Sequence, residues 1–470
     1  MQHANLRLLL LLCFGAVLVM MPWGTQQARA DESPLAAKAR AFFEAKGTKR
    51  HAELALAVAA DPSYDPAAIG EVLHGMEVFP THKPGRRYAS MGVGYGQSRR
   101  LVLRIPKGYS PDRAWPLIYC LHASGSTASS ILRRTESLLG SRVDEFVLAA
   151  PDGYRQTSLD APPPFTPEHP VAIQELRKVI HVDSDRVYAM GYSLGGYASW
   201  TTAVLHSDML GGAVPMASCP APWDMDGVWE AIGPNFQHLP VLHVWGTRDG
   251  LNVPGFEGRA HSLGSMSDVN RKFSPLIRKL GLNVIDHPVQ GAGHGGARPK
   301  EREMWKLLEA ERVHYPAEVS HRFRHIHQAS TYWLEGHAWK GPAWDDIGRR
   351  IKKKPGESNR AAFGRVFVPL LGELSGRIEG QTVTVRTKHL SDFTVWLGDG
   401  MIDWNQPVKL VVNGVAVFEG RVEKDLGVLL AQAKRSYDFE RLRWAGLRVD
   451  AKGKVKPVTA DMKFPGLIRR

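Results

Sequence analysis

Cysteine is scarce in this chain, which has three cysteines among its 470 residues. Cys13 lies in an apolar N-terminal stretch that we expect the mature protein to lose. Cys120 and Cys219 come at the ends of predicted inner strands, where we expect each to serve as a small buried apolar side chain. Two cysteines cannot build the disulfide framework that stabilises many small secreted domains. The fold must therefore depend on an apolar core.

Long apolar runs are also few, and the clearest one is at the N-terminus. Residues 8–21 are uncharged and mostly apolar, Arg7 precedes them, and Ala28-Arg29-Ala30 follows as a small-x-small cleavage site. The run is too short to span a bilayer comfortably. We therefore expect a signal peptide over residues 1–30, cleavage after Ala30, and a secreted or periplasmic protein without stable membrane insertion. A retained N-terminal anchor is the alternative.

No nucleic-acid motif accompanies the basic charge of the chain. The formal net charge is +13, or +11 once Arg7 and Arg29 are lost with the leader. Such a surface attracts polyanions in general. The basic clusters are far apart and without interleaved aromatic residues, at 46–50, 83–87, 349–354 and 469–470. We interpret them as solvated faces and expect no nucleic-acid partner.

The chain is longer than one core usually serves, so several structural units are expected. The pattern of apolar residues and predicted elements changes at three points, and the sequence shows no internal repeats. The expected units are a signal peptide (1–30), a helical N-terminal extension (31–87), an α/β domain (88–315) and a β-rich accessory domain (316–470). The oligomeric state is not indicated by these features.

The segment 88–315 alternates apolar strands with helices. Residues 117–121 are apolar throughout, which is typical of parallel strands covered on both faces. Further strands are predicted at 100–105, 146–150, 187–190, 212–217, 241–245 and 283–288, and helices at 129–139, 171–180, 194–206 and 267–280. This alternation predicts a doubly wound, mostly parallel α/β sheet.

From about residue 316, short strands replace this alternation. They are predicted at 332–334, 366–368, 383–385, 393–396 and 408–412. Asn413-Gly414 stands between two apolar runs and is a strong signal for a β-hairpin. Helical character returns only at 426–439. We predict a β-rich unit here.

The most informative stretch is Gly191-Tyr192-Ser193-Leu194-Gly195, which matches the Gly-x-Ser-x-Gly pattern of a nucleophile elbow. In such a turn a strand meets a helix, and the serine hydroxyl is pushed into the open. Because glycine fills 46 positions, the five residues alone have little weight. The apolar strand before them and the helix after them support the interpretation of Ser193 as the nucleophile of a serine hydrolase.

A serine hydroxyl needs a base that takes its proton and an acid that orients the base. In an α/β sheet of this kind the acid and then the histidine follow the serine, on loops after strands. Asp249 comes directly after the predicted strand 241–245, which the competing residues Asp224, Asp226 and Asp286 do not. His294 stands in a glycine-rich loop that lets the imidazole reach the serine. We predict Asp249 as the acid and His294 as the base.

An oxyanion hole needs two backbone N–H donors aimed at the developing alkoxide. One donor is predicted at Leu194, directly after the nucleophile. The other is predicted in the loop after strand 117–121, at Ala123 or Ser124. His122, at the start of that loop, is predicted to brace it rather than to react.

The other histidines include one cluster, His321, His325 and His327. Its i, i+4, i+6 spacing suits neither one face of a helix nor one face of a strand, so it does not favour a metal site. We expect no metal and no cofactor.

Over roughly residues 100–308 the chain resembles the α/β-hydrolase superfamily. The motifs are Ile105-Pro106-x-Gly108-Tyr109, Trp115-Pro116-Leu117-Ile118 with Leu121-His122, Pro151-Asp152-Gly153, Asp185-Arg186-Val187-Tyr188, and Gly246-x-x-Asp249 followed by His294. The nearest resemblance is to secreted esterases of the feruloyl/acetyl-xylan esterase and polyhydroxyalkanoate depolymerase kind. It implies a triad of Ser193, Asp249 and His294 that hydrolyses a small-molecule or polysaccharide ester through an acyl-enzyme. The family usually has His-Gly where this chain has His122-Ala123, so the second oxyanion donor stays open.

Two insertions near the predicted site contain aromatic residues that suit a sugar or phenolic ring. They are Phe165 in the first, and Trp223 and Trp229 in the second. Anchoring of the loops is the alternative role for these side chains. The β-rich domain is expected either to bind polysaccharide or to shield the α/β domain.

Two other functions remain open at this point. Residues 191–197 and 249–254 partly resemble prolyl-oligopeptidase peptidases, which carry a large β-propeller before the catalytic domain. Fewer than seventy residues separate the predicted cleavage site from Arg100, which is too short for such a propeller. Because the oxyanion loop differs from the family pattern, a second alternative also stays open. It is a binding protein with a catalytically silent hydrolase scaffold.

Overall fold

The computed structural model describes residues 32–94, 97–153, 168–220, 226–255, 258–342 and 351–462. The helices are α1 (Pro34–Glu44), α2 (Thr48–Ala59), α3 (Ile69–His74), α4 (Ala128–Leu139), α5 (Glu168–Val179), α6 (Leu194–Leu205), α7 (Val228–Ile232), α8 (Met266–Leu280), α9 (Glu301–Leu308), α10 (Asn359–Leu370) and α11 (Leu426–Ser436). In this described part, no helix has both the length and the apolarity that crossing a membrane requires.

The described residues of the first half of the chain contain ten strands. They are β1 (Gly85–Gly94), β2 (Gln97–Ile105), β3 (Trp115–Leu121), β4 (Val147–Pro151), β5 (Val182–Tyr192), β6 (Gly212–Met216), β7 (Val241–Gly246), β8 (Asn252–Gly255), β9 (Gly258–Ser265) and β10 (Val284–Val289). The predicted strands and helices of this half are confirmed within a few residues, but β1 and the β8–β9 hairpin were not predicted.

Eight of these strands form one sheet in the order β1-β2-β4-β3-β5-β6-β7-β10. β2 is antiparallel to β1 and β4, and all other neighbours are parallel. The mostly parallel α/β sheet expected from the sequence is therefore present. The carboxyl ends of its parallel strands meet at one edge, where ligands bind in open α/β sheets.

Both faces of this sheet are covered by apolar side chains. On one face α5, α6 and α8 pack against alternate strand residues such as Leu117 and Val187. On the other face α4 and α9 pack against the neighbours of those residues, Ile118 and Tyr188. All seven residues of β3 are buried, as the continuous apolar run predicts. Cys120 and Cys219 are buried and form no disulfide, as expected.

Several helices begin at a residue whose side chain caps them. Thr127 accepts a hydrogen bond from the Ser130 N–H at the start of α4. Ser265 and Asp268 form a capping box at the start of α8. Asp425 accepts from the Val428 N–H at the start of α11. These caps satisfy N–H groups that have no acceptor within the helix.

The second half of the chain contains two smaller sheets. Its strands are β11 (Glu318–Val319), β12 (Arg322–Phe323), β13 (Ser330–Thr331), β14 (Leu334–Trp339), β15 (Gly372–Glu379), β16 (Thr382–Lys388), β17 (Leu390–Leu397), β18 (Val408–Val412), β19 (Val415–Gly420), β20 (Ala445–Val449) and β21 (Val455–Pro457). One sheet contains β11, β12, β15, β16, β18 and β19, and the other contains β13, β14, β17, β20 and β21. Their buried residues form one core around Trp333, Leu374 and Val395. The β-rich character expected after residue 316 is present.

Two local predictions in this half have opposite outcomes. The hairpin at Asn413-Gly414 is confirmed: both residues have positive φ, 49° and 85°, and they connect β18 to β19. The strand predicted at 366–368 is wrong, because these residues lie in α10. Phe363 and Phe367, one helical turn apart, pack together against the core of the large sheet.

The N-terminal helices pack against the C-terminal part of the chain. Buried residues of α1, α2 and α3, including Phe42 and Val58, share a cluster with Leu430 of α11 and with Phe439 and Trp444. The segment after α3 also contacts α5, because the His82 imidazole is hydrogen-bonded to the Val179 carbonyl at 2.8 Å. Helices α1–α3 and the segment around α11 are thus joined in one apolar cluster.

Candidate active site

Ser193 lies in the tight turn between β5 and α6. Its φ is 54°, in the left-handed region that residues other than glycine rarely adopt. Two backbone hydrogen bonds hold the turn: the Ser193 N–H donates to the Met216 carbonyl at 2.9 Å, and the Ser193 carbonyl accepts from the Tyr197 N–H at 3.1 Å. The hydroxyl therefore stands at the carboxyl end of a central strand.

Two glycines allow α6 to approach the strands closely. A Cβ atom on Gly191 would lie 2.0 Å from the Gly195 carbonyl oxygen, and one on Gly196 would lie 2.5 Å from the Met216 carbonyl oxygen. Neither distance is tolerated by a real side chain, and the obstructing atoms are backbone. Gly191 is the first glycine of the predicted elbow, and its requirement is steric.

The loops after β7 and β10 are held together by backbone hydrogen bonds. The Thr247 N–H donates to the Val289 carbonyl at 3.1 Å, and the Arg248 N–H donates to the Ala292 carbonyl at 2.9 Å. A Cβ atom on Gly246 would lie 2.3 Å from the Ala292 carbonyl oxygen, so this approach requires glycine. The loop with Asp249 and the loop with His294 therefore have a fixed relative position.

The three predicted side chains meet in one hydrogen-bonded chain. His294 Nε2 lies 2.9 Å from Ser193 Oγ, and His294 Nδ1 lies 2.7 Å from Asp249 Oδ2. Asp249 is fully buried, and its second oxygen accepts from the Leu251 N–H at 3.1 Å. The carboxylate requires a proton on Nδ1, which leaves Nε2 free to accept the serine proton. The imidazole is about one-third exposed, so a substrate has access to it.

Two residues that the sequence analysis did not identify hold the histidine loop. The Tyr192 hydroxyl donates to the His294 carbonyl. The Arg134 guanidinium stacks over the Tyr192 ring at 3.7 Å and donates to the Ala297 carbonyl at 3.3 Å. Burial raises the pKa of Tyr192, so its hydroxyl stays protonated as a donor. Tyr192 occupies a variable position of the elbow motif, directly before the nucleophile, and that position is the only sequence signal for its role.

The loop predicted to supply the second oxyanion donor is braced by His122. The His122 ring donates from Nδ1 to the Ala123 carbonyl at 2.8 Å, and its Nε2 accepts from the Gly153 N–H at 3.3 Å. Ser124 follows in the same loop. On the other side of the serine, the N–H of Leu194 begins α6 and has no acceptor within the helix.

The Pro151-Asp152-Gly153 motif lies behind this loop. Asp152 accepts a hydrogen bond from the Ala128 N–H at 2.9 Å, at the start of α4. Gly153 supplies the N–H that holds His122. The turn thus connects the end of β4 to the loop after β3.

The aromatic residues predicted to bind substrate have different outcomes. Phe165 and Trp223 lie outside the described residues. The prediction for Trp229 is wrong: this side chain is only 2% exposed and lies in the core, in contact with Trp200, Phe236 and Phe273. A buried ring cannot stack on a sugar at the surface. Trp229 anchors its insertion instead, which was the alternative role.

Two members of the histidine cluster of the second half, His321 and His327, are buried, and His325 is half-buried. His321 is fully buried and bonds the Gln328 carbonyl, while the His325 and His327 rings stack at 5.3 Å. Burial lowers the pKa of His325 to about 4 and that of His327 to about 3. Within the described ranges, no group of three or more His, Cys, Asp or Glu side chains is arranged to hold a metal ion.

The mostly parallel sheet, with a serine after β5, an acid after β7 and a histidine after β10, has the order found in α/β-hydrolases. The chain resembles the esterases of that superfamily. No protein-family model matches the chain.

One curated relative is similar over part of the chain. Feruloyl esterase B of Piromyces equi is 27% identical over 168 residues, which cover 34% of this chain and 30% of that protein. The chain thus spans less than a third of the length of the relative that it matches.

The comparison with solved structures found, among others, an esterase and a hydrolase. A CE1 ferulic acid esterase from Anaeromyces mucronatus is 19% identical, covers 50% of this chain and 95% of its own, and has a TM-score of 0.35. The S-formylglutathione hydrolase FrmB of Staphylococcus aureus is 13% identical, covers 49% of this chain and 100% of its own, and has a TM-score of 0.35.

Proposed function

We propose that the protein is a serine hydrolase that cleaves carboxylic esters. The observation that supports this most is the hydrogen-bonded chain from Ser193 Oγ through His294 to the buried Asp249 carboxylate. A base within 3 Å of the hydroxyl and an acid that fixes the tautomer of the base are what nucleophilic serine catalysis requires. A catalytically silent scaffold has no need of this alignment.

The proposed reaction has two steps. Ser193 Oγ attacks the ester carbonyl carbon while His294 Nε2 takes its proton, and the resulting tetrahedral oxyanion accepts hydrogen bonds from the Leu194 N–H and from Ala123 or Ser124. The C–O bond to the alcohol then breaks, and His294 gives the proton to the leaving oxygen. Water, deprotonated by His294, releases the acid and restores Ser193. Asp249 stays ionised and stabilises the imidazolium.

The proposed substrate class is an ester attached to polysaccharide. The similarity to a feruloyl esterase, 27% over about a third of the chain, supports this class. Phe165 and Trp223 remain proposed contacts for a phenolic or sugar ring. Export through the first thirty residues is part of this proposal, because polysaccharide substrates are found outside the cell.

A fluorophosphonate probe tests the nucleophile directly. We expect stoichiometric labelling of Ser193 in the wild type, none in Ser193→Ala, and a loss of kcat of about a million-fold on p-nitrophenyl acetate. The Ser199→Ala variant is the matched control, because Ser199 is buried in α6 and donates to the Gly195 carbonyl. Labelling that persists in Ser193→Ala, or is missing from the folded wild type, would contradict the proposal.

The ester preference needs a separate comparison. Hydrolysis of methyl ferulate and p-nitrophenyl acetate is measured beside that of peptide anilides. We expect turnover of the esters and little of the anilides. The reverse preference would favour a peptidase while leaving the role of Ser193 intact.

A further inference from the structure

A cavity lies between the large sheet's helices and the C-terminal part of the chain. Its volume is about 150 Å³, and its wall is formed by α5, the end of α6, β14 and the segment from α11 to residue 443. Helix α6 has twelve residues, and a rise of 1.5 Å per residue places its far end about 18 Å from Ser193. The cavity is therefore separate from the candidate active site.

The wall of the cavity contains more cations than anions. Its four guanidinium groups belong to Arg177, Arg435, Arg441 and Arg443, and its three carboxylates belong to Asp208, Glu335 and Asp438. All of these side chains except Arg435 and Arg443 are at most about one-tenth exposed. Charges enclosed in this way need partners within the protein or inside the cavity.

Each carboxylate in the wall already has an arginine partner. Glu335 accepts two hydrogen bonds from Arg435, at 2.8 and 2.7 Å. Asp208 accepts one from Arg441 at 3.0 Å. Asp438 accepts two, at 2.7 and 2.9 Å, from Arg312, which lies behind the wall.

Arg177 is left without such a partner. Its side chain is 3% exposed, and its closest carboxylate oxygen, on Asp438, is 4.0 Å away and already bonded to Arg312. Among the described residues, Arg177 Nε and Nη2 and Arg441 Nη1 have no hydrogen-bond acceptor. Arginine keeps its charge in proteins, so deprotonation cannot remove the need of these N–H groups for an acceptor.

We propose that this cavity binds one small oxyanion, of the phosphate, sulfate or short carboxylate kind, between Arg177 and Arg441. A planar guanidinium donates two parallel hydrogen bonds to such a group, and the surplus positive charge of the wall is then balanced. The volume equals that of about five water molecules, which suits an anion of four or five heavy atoms and excludes a sugar chain.

Thermal unfolding and calorimetry test the site in the full-length protein. Inorganic phosphate, sulfate, acetate and chloride are compared at constant ionic strength. We expect a saturable rise of several degrees in Tm with one or more of the oxyanions, one site per chain, and a smaller effect of chloride. The Ser193→Ala variant should bind with unchanged affinity, so this result is independent of the proposed hydrolysis.

Variants at residue 177 identify the ligand-binding group. Arg177→Met should weaken oxyanion binding about tenfold or more and, in a zwitterionic buffer without added salt, should be at least as stable as the wild type. Arg177→Lys keeps the charge and should bind more weakly than the wild type but more tightly than Arg177→Met. Lys178→Met is the matched control, because Lys178 is the half-exposed neighbour on α5 and pairs with Glu175.

Three results would overturn the proposal. The first is a wild type whose Tm at constant ionic strength is the same with every anion, which would mean that water fills the cavity. The second is an Arg177→Met variant that binds oxyanions like the wild type. The third is a Lys178→Met variant that loses binding equally. If Arg177→Met does not fold, Arg177→Lys decides the question.

Discussion

Ser193 has a backbone conformation that costs about 1–3 kcal/mol for a residue with a side chain. The Met216 carbonyl and the Tyr197 N–H hold it there from either side. Because one of these partners ends β6 and the other lies in α6, the strained turn is stabilised by the sheet and the helix together. The hydroxyl is therefore positioned before any substrate arrives.

In the proposed reaction Tyr192 is a positioning residue, because its hydroxyl holds the loop that contains His294. Removal of its hydroxyl in Tyr192→Phe leaves the His294 carbonyl without this donor and loosens the imidazole relative to Ser193. We expect kcat on p-nitrophenyl acetate to fall about tenfold with little change in KM, since small losses of alignment have large effects on rate. Steady-state kinetics measure this split.

The control for this variant is Tyr197→Phe. Tyr197 lies in α6, one turn after the nucleophile, and its hydroxyl contacts Cys219 Sγ at 3.3 Å. It should lose some stability while kcat changes less than twofold. Equal effects of the two substitutions on kcat would argue against a positioning role for Tyr192.

At the scale of single residues, the sequence feature that predicted the candidate site was the position of a polar residue directly after a predicted strand. It led to the prediction of Ser193, Asp249 and His294, which the structure brings within hydrogen-bonding distance. The prediction for Trp229 was wrong because the sequence of an insertion does not show whether its aromatic residue faces solvent or the core. Its burial depends on Trp200 and Phe273, which are distant in the chain.

At the scale of elements, the elbow depends on Gly191. A methyl group there would meet backbone atoms of Gly195 at 2.0 Å, and backbone cannot move aside without displacing α6. We expect Gly191→Ala to lower the free energy of unfolding by about 3 kcal/mol or more, or to prevent folding. Urea denaturation of the purified variant, together with its soluble yield, measures the effect.

Gly92→Ala is the matched control for this substitution. Gly92 lies in β1, and a Cβ atom there would meet nothing within 4 Å. Its free energy of unfolding should stay within about 1 kcal/mol of that of the wild type. A Gly191→Ala variant as stable as this control would show that the turn can rearrange.

Strands and helices with a clear apolar period were predictable because burial repeats along them. The strand expected at 366–368 shows the limit of this signal. Val366 and Val368 favour a strand locally, but the cap at Ser358 and the contact of Phe363 and Phe367 with the large core select a helix. The tertiary contact outweighs the local preference.

At the scale of the whole molecule, burial of histidine makes stability depend on pH. Burial lowers the pKa of His181 and His325 to about 4 and that of His206 and His327 to about 3. Near pH 6.5 these histidines take up protons in the unfolded chain but not in the folded chain. The free energy of unfolding therefore decreases as the pH falls from about 6.5. Glu440 acts in the opposite direction, because burial and Asp438 raise its pKa to about 8.

We expect the free energy of unfolding to fall by about 3 kcal/mol between pH 6.5 and 5.5, with about 1 kcal/mol from each of the four histidines and part of it offset by Glu440. Urea denaturation across this range measures the slope. His327→Gln should reduce the loss by about 1 kcal/mol, whereas His389→Gln, at a half-exposed position, should not change it. A slope that is unaffected by His327→Gln would contradict this account.

The apolar cluster between α1–α3 and α11 has a consequence for biosynthesis. The ribosome makes α3 about 350 residues before α11, which at 5–20 residues per second is an interval of about 20–70 s. Throughout that interval the side chains of Phe42, Val58 and Leu73 lack their final cover. The nascent chain therefore exposes an apolar surface until its last segment emerges. A chaperone that shields this surface would determine how much protein reaches the native state.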